Sequence, residues 1–114
     1  MNDLVQEIQE KTKQLMLSIK MLRKNGTAWA EAERDYKIRL RTECLKMKDA
    51  GIAVGIIEKT CYGIPAVAEL RFKRDCADVL YKANQEAINA IKLELRLIEN
   101  QLQREWSASG EGDL

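Results

Sequence analysis

The chain has 114 residues, enough for one domain, and 19 Lys and Arg against 18 Asp and Glu give a formal net charge of +1. This balance argues against a general attraction to nucleic acid or to an anionic membrane surface. Charged residues make up 32% of the chain and there is one proline, a composition typical of long helices and coiled coils. We therefore expect an all-α protein.

Two helices are predicted in the first half of the chain. The first spans about residues 3–24, and Asn25-Gly26 then stops or kinks it, because both residue types suit the left-handed position after a helix. The second spans about residues 28–50 and ends at Gly51; the first either continues its line or folds back beside it. The apolar stripe is Leu4, Ile8, Thr12, Leu15, Ile19 and Leu22 in the first helix, and Trp29, Ala32, Tyr36, Leu40, Cys44 and Met47 in the second.

The segment 51–63 has a different character, with three glycines and no charge before Glu58. Its composition predicts a turn, one short helix over about residues 55–62, and a stop at Gly63. Pro65 then falls in the first turn of the next helix, where its missing N–H costs nothing. We interpret this segment as the tip of a helical hairpin.

The strongest signal is a heptad seam in a long helix predicted over about residues 66–106. Its members recur in alternating steps of three and four residues, and only an α-helix places such side chains on one stripe. The small, polar and acidic tail, residues 107–114, is predicted to be disordered. The seam consists of Val67, Leu70, Arg74, Ala77, Tyr81, Asn84, Ile88, Ile91, Leu95, Ile98, Leu102 and Glu105.

A second apolar stripe lies on the other side of the long helix. One antiparallel neighbour covers only one stripe, so a helix that is apolar on two sides must be covered twice. We expect a second copy of the chain to complete the cover, most simply in a twofold dimer. The second stripe is Phe72, Cys76, Val79, Ala83, Ala90, Leu93 and Leu97, and the residues assigned to the oligomer seam are Tyr81, Asn84, Ile88, Ile91, Leu95, Ile98 and Leu102.

Two polar residues interrupt the heptad seam. An Asn in a seam costs stability but fixes register and partner number, which is our interpretation of Asn84; the alternative is a polar ligand contact within a bundle. The stem of Arg74 can cover apolar surface while its head reaches water. The plainer interpretation is a local pair with Asp78 or Glu69, of which only Asp78, four residues on, is at good helical spacing.

The motifs of common enzymes are missing from the sequence. There is no His, so a Ser-His-Asp system is excluded and a cysteine nucleophile lacks its usual base. No glycine-rich phosphate loop occurs. Cys44, Cys61 and Cys76 are widely spaced without a CxxC, so we expect buried free thiols and no zinc site. We predict no enzyme activity, no cofactor and no metal.

The predicted tip carries a candidate partner-binding surface. An apolar centre with charged and aromatic edges resembles a binding patch, although the same apolar groups can form a miniature core that caps the hairpin. Basic groups beside aromatics also suit single-stranded nucleic acid, a reading that the near-zero charge makes less favoured. The residues assigned to this surface are Lys59, Tyr62, Arg71, Lys73 and Arg74.

Five segments of the chain together carry a resemblance to known proteins: Ala30–Lys37, Gly51–Val54, Val67–Asp75, Tyr81-Lys82 and Glu86–Asn89. They resemble small uncharacterised helical proteins of phages and prophages of Gram-positive bacteria. The resemblance covers residues 30–106 and implies a phage context, with early-gene roles in recombination, replication or countering host defence. No catalytic motif comes with it.

We therefore expect a non-enzymatic homodimer that binds a host or phage protein, with inhibition of a host defence or nuclease complex as one concrete form. The alternatives are a nucleic-acid-binding accessory factor in phage DNA recombination or replication, and a structural coiled-coil assembly protein. We expect no signal peptide, because the first residues lead into a polar amphipathic stretch, and the sequence has no apolar run of membrane-spanning length. We therefore expect a cytoplasmic protein without a membrane partner, in the host cell if phage-encoded.

Overall fold

The structure, a computed structural model, describes residues 2–112, and the side chains of residues 3–109. Helix α1 spans Asn2–Asp49, helix α2 spans Val54–Thr60, a 3₁₀ turn covers Cys61–Gly63, and helix α3 spans Pro65–Gly112. The two long helices pack antiparallel with the short helix at the tip. No strand occurs in residues 2–112. The prediction of an all-α hairpin with a short helix at its tip is confirmed.

The chain divides into two compact units, each an antiparallel pair of helical segments. Within the described residues, unit 1 comprises α1 up to Arg23 and α3 from Ala83, and unit 2 comprises Lys24–Lys82, including the tip. The two units are described separately below.

The predicted break at Asn25-Gly26 is wrong, because α1 runs through both residues. Asn25 is only 7% exposed, so it lies on the packed side of the helix. At Gly26, an added Cβ would lie 3.3 Å from Cε1 and Cζ of Tyr81. The glycine therefore lets the backbone of α1 approach the Tyr81 ring, and this packing offsets the roughly 1 kcal/mol that Gly costs inside a helix.

The apolar stripe predicted for the first helix is also partly wrong. Thr12 is exposed and its hydroxyl donates to the carbonyl of Ile8 at 2.7 Å, and Ile19 is exposed as well. Lys11 and Ser18 are half-buried in their place. The packed positions of α1 are then spaced alternately four and three residues apart, and this spacing continues through Asn25. It is a heptad pattern, but several of its positions hold polar residues, so it is hard to recognise in the sequence. They are Leu4, Ile8, Lys11, Leu15, Ser18, Leu22, Asn25, Trp29, Ala32 and Tyr36.

Helix α1 ends as predicted, at Gly51. This glycine has φ 81°, the left-handed conformation, and it is the one described residue with positive φ. Its N–H donates to the carbonyl of Lys48 at 3.0 Å, and the Ile52 N–H donates to the carbonyl of Met47 at 3.1 Å. This pair of bonds is the Schellman arrangement, which satisfies carbonyls that a helix end leaves unpaired.

The other helix bounds differ modestly from prediction. Helix α2 is shorter than predicted and gives way to the 3₁₀ turn at Cys61, and Pro65 takes the first position of α3 as expected. Helix α3 continues to Gly112, so the predicted disorder from Ser107 is wrong as far as the structure describes the tail; residues 113–114 lie outside the described residues. The stretch 107–109 has no Gly or Pro to stop the helix.

Candidate interaction surfaces

In unit 2, Arg74 belongs to a cluster that joins the two helical segments. Its guanidinium carbon lies 4.4 Å from the centre of the buried Tyr36 ring, and its Nη1 lies 3.4 Å from Oε2 of Glu33. The hydrogen bond to Asp75, at 2.9 Å from Nη2, is the main cause that raises the pKa of Arg74 above its ordinary value. The arginine therefore holds α3 against α1 by a cation–π contact and an ion pair.

The predicted pairing of Arg74 with Asp78 is wrong. Asp78 pairs instead with Lys82 at 2.9 Å, and the Arg74 side chain is 22% exposed, with its head already engaged inside the chain. Arg74 thus stands apart from the other four residues assigned to partner binding.

The seam residues assigned to contacts between copies lie against the chain's own helix α1. In unit 2, Tyr81 stacks on Trp29 with ring centres 6.4 Å apart. In unit 1, Nδ2 of Asn84 donates to the carbonyl of Ser18 at 3.1 Å, and Lys11 forms an ion pair with Glu94. The structure therefore uses within one chain the residues that the sequence assigned to an oligomer seam, and the remaining ones are buried or half-buried there: Ile88, Ile91, Leu95, Ile98 and Leu102.

Asn84 ties one particular residue of α3 to one particular turn of α1. An amide that bonds across a helix pair selects the register in which its partner carbonyl is within reach. This geometry agrees with the register role proposed for Asn84 within the hairpin.

The tip has a buried layer and an exposed layer. Ile57, Cys61 and Val67 are buried, at 7%, 2% and 0% exposure. Ile52, Val54 and Ile56 face outward on the same segment. The two interpretations of the tip thus apply to different residues: a small core caps the hairpin, and an apolar surface remains outside it.

The four other residues assigned to partner binding are exposed near this surface. Arg71 lies over the ring of Tyr62, with its guanidinium carbon 5.6 Å from the ring centre. Lys59 and Lys73 are exposed on α2 and α3. The tip therefore combines exposed apolar residues with an Arg–Tyr pair and Lys59, whereas Lys73, two residues from Arg71, lies about 200° around α3 from it.

The second stripe of α3 is exposed in both units, and we call it the outer stripe. In unit 2, Phe72 and Val79 are 65% and 67% exposed; in unit 1, Leu93 and Leu97 are 53% and 58% exposed. Each lies on a helix whose opposite side is already packed on α1. Further apolar side chains are exposed on α1: Val5, Met16, Leu17, Ile19, Met21, Ile38 and Leu45.

The three cysteines differ in their surroundings. Cys61 is buried, Cys44 is half-buried and Cys76 is exposed on the outer stripe, so the prediction of buried thiols is wrong for Cys76. Burial, followed by a hydrogen bond with Cys61, raises the pKa of the Cys44 thiol. Within the described residues, no group of three or more His, Cys, Asp or Glu is placed to hold a metal ion.

In the part of the chain that the structure describes, neither long helix has an apolar stretch that could cross a membrane. None of the protein families, curated proteins or solved structures compared with the chain matches it.

Proposed function

We propose that this chain is a non-enzymatic interaction protein that associates with itself through the outer stripe and binds another protein with its tip. The outer stripe is the observation that carries the proposal. Single exposed apolar residues are ordinary on protein surfaces. Four large ones at heptad positions on one helix, each more than half exposed, form the kind of surface that a partner covers.

The tip is the proposed surface for the second protein. Ile52, Val54 and Ile56 supply an apolar centre, and Lys59 with the Arg71–Tyr62 pair supplies a basic and aromatic edge. Interface hot spots are enriched in Tyr and Arg, and interface cores are apolar with polar rims.

The resemblance to phage and prophage proteins suggests the identity of this second protein. We infer that it is a host or phage protein, and that inhibition of a host defence or nuclease complex is the concrete form of the function. The proposed place of action is then the host cytoplasm.

One observation favours a nucleic-acid-binding accessory role as the second candidate. Arg71 lies over the exposed ring of Tyr62, and Lys59 is exposed on the neighbouring α2; aromatic rings combined with positive charge are how proteins bind single strands. The near-neutral net charge of +1 makes it the weaker candidate, because phosphate binding needs a basic surface.

A capture experiment with charge-reversed tips tests the proposal. The tagged chain is incubated with lysate of a Gram-positive host, and bound proteins are identified by mass spectrometry. The variant Lys59→Glu/Arg71→Glu should lose a protein that the wild type captures. The matched control Lys13→Glu/Lys20→Glu makes the same charge change on exposed positions of unit 1 and should retain that protein.

Three outcomes separate the candidates. Loss in the tip variant alone supports protein binding at the tip. If both variants capture the protein equally, the tip is only a cap. If nuclease treatment of the lysate removes the captured material, nucleic acid is the ligand or the bridge.

A further inference from the structure

We propose that a second copy of this chain covers the outer stripe by laying its own α3 antiparallel along it, so that Cys76 faces Leu93 of the other copy. This inference rests on the proposed self-association and specifies its geometry. Its evidence is the spacing of the stripe along α3, its exposure, and the charges beside it.

The outer stripe is a complete heptad repeat on one continuous helix, Pro65–Gly112. Its positions step by four and three, and each is displaced by two residues from a member of the inner seam. Two residues correspond to about 200° around a helix, so the outer stripe lies opposite the side packed on α1. A heptad stripe is shaped to receive another helix. Besides the seven apolar residues given above, the repeat includes Glu86, which fills the step between Ala83 and Ala90; its eight positions are Phe72, Cys76, Val79, Ala83, Glu86, Ala90, Leu93 and Leu97.

The stripe consists of two alternating sets of positions spaced seven residues apart, one starting at Phe72 and the other at Cys76. In an antiparallel pair, a residue of one set packs against a residue of the other set on the second helix. One register brings all eight positions into pairs. Larger side chains then lie opposite smaller ones in most layers, which suits interdigitation. The layers pair Phe72 with Leu97, Cys76 with Leu93, Val79 with Ala90, and Ala83 with Glu86 of the second copy.

The charges that flank the stripe agree with this register. Lys73 lies opposite Glu94 of the second copy, and Asp75 lies opposite Arg96 of the second copy; the twofold axis repeats both pairs. Asp75 and Glu94 already take part in pairs within the chain, but their side chains remain 56% and 46% exposed and can accept a further cation. Glu86, the charged member of the stripe, falls beside Lys82 of the second copy, whose side chain is 70% exposed.

Other arrangements lose this complementarity. If the second helix is shifted by seven residues in one direction, Lys82 lies opposite Lys82 of the second copy. If it is shifted by seven residues in the other direction, Lys82 lies opposite Arg96 of the second copy. A parallel, in-register pair gives no opposite-charge contacts at the flanking positions and stacks Glu86 on Glu86. Like charges held opposite each other destabilise a helix pair, so the antiparallel register is favoured.

Cysteine cross-linking tests the register directly. In the variant Leu93→Cys, mild oxidation with copper phenanthroline should join Cys76 to the new cysteine of the second copy and give a covalent dimer under non-reducing conditions. The two positions are about 25 Å apart along one helix, so they cannot join within a chain. The control Arg104→Cys lies on the same stripe, about 16 Å beyond Leu93, and should not cross-link.

A charge exchange provides a second test that needs no oxidation. Lys73→Glu should weaken the dimer about tenfold, because it replaces two attractive contacts with repulsive ones. Glu94→Lys makes the same change between copies and also removes the ion pair with Lys11 within the chain, so its test is the rescue of Lys73→Glu. The double variant should recover most of the wild-type affinity in sedimentation equilibrium, a rescue that a loss of fold would not produce.

The outcomes also separate this inference from the proposed function. Cross-linking of the wild type through Cys76 itself would indicate a parallel pair and overturn the register. A dimeric wild type with neither cross-linking of Leu93→Cys nor charge rescue would overturn the register while self-association stands. A monomeric wild type would overturn both.

Discussion

The contact between Gly26 and Tyr81 makes a specific prediction about helix stability. Replacing an interior helical Gly with Ala normally stabilises a helix by about 1 kcal/mol. At Gly26 the new methyl group would lie 3.3 Å from two atoms of the Tyr81 ring, closer than ordinary van der Waals contact. Overpacking costs about 1–3 kcal/mol, so we expect Gly26→Ala to lower the free energy of unfolding by up to about 2 kcal/mol.

Gly55 offers a matched control in the same unit. It is also helical, and a Cβ there would meet nothing within 4 Å. Gly55→Ala should therefore raise the free energy of unfolding by about 0.5–1 kcal/mol. Urea denaturation followed by circular dichroism measures both variants, and equal stabilisation by the two alanines would show that the Tyr81 ring does not press on Gly26.

Three further predictions concern the seam and the thiols. Ile88→Ala should lower the free energy of unfolding, measured by urea denaturation, by about 2–5 kcal/mol, because Ile88 is 6% exposed. Ile38→Ala, at a site that is 61% exposed, should lower it by under about 0.5 kcal/mol. Equal losses in the two variants would contradict the burial pattern. Asn84→Leu should leave the melting temperature unchanged or raise it, and size-exclusion chromatography should show a wider range of oligomeric states. If this variant unfolds instead, the Asn84 amide belongs to an essential polar network. Iodoacetamide should modify the exposed Cys76 before the half-buried Cys44. The raised pKa of Cys44 keeps this thiol protonated to higher pH than an ordinary thiol, so its labelling should rise only above that ordinary pKa; equally fast labelling of Cys76 and Cys44 would contradict the structure.

The sequence predicts α3 well because its seam is mostly apolar and uninterrupted. The same spacing rule also identifies the outer stripe, whose exposure confirms that one antiparallel neighbour leaves it uncovered. In α1 the rule fails where Lys11, Ser18 and Asn25 occupy packed positions, because a search for apolar side chains passes over them.

Two glycines and Arg74 show that residue type and local spacing do not always determine a residue's structural role. Gly26 and Gly51 have the same side chain, yet one lies within a helix beneath a tyrosine and the other ends a helix with positive φ. Arg74 has a suitable local partner four residues away but binds Glu33 and Tyr36 on the other helix. Gly26 and Arg74 depend on contacts with residues far away in sequence, which local spacing does not contain, whereas Gly51 follows the local rule and ends the helix as predicted.

At the tip, the sequence predicts an apolar cluster without assigning its sides. Ile56 and Ile57 are adjacent in a short helix, so about 100° of rotation separates an exposed residue from a buried one. Which of them faces inward depends on how α2 packs against the rest of the chain, which only the folded structure supplies.

Sedimentation equilibrium of the wild type and of Val79→Glu is the most direct test of the central claim, that the outer stripe is an interface. Val79 is 67% exposed, so the substitution should not disturb the fold of one chain. At micromolar concentration we expect the wild type to have at least twice the chain mass of 13.1 kDa, and Val79→Glu to have the mass of one chain. The control Ile38→Glu changes an exposed residue of α1 and should remain associated. A wild type that stays at 13.1 kDa, or a Val79→Glu variant that associates as the wild type does, would contradict the account.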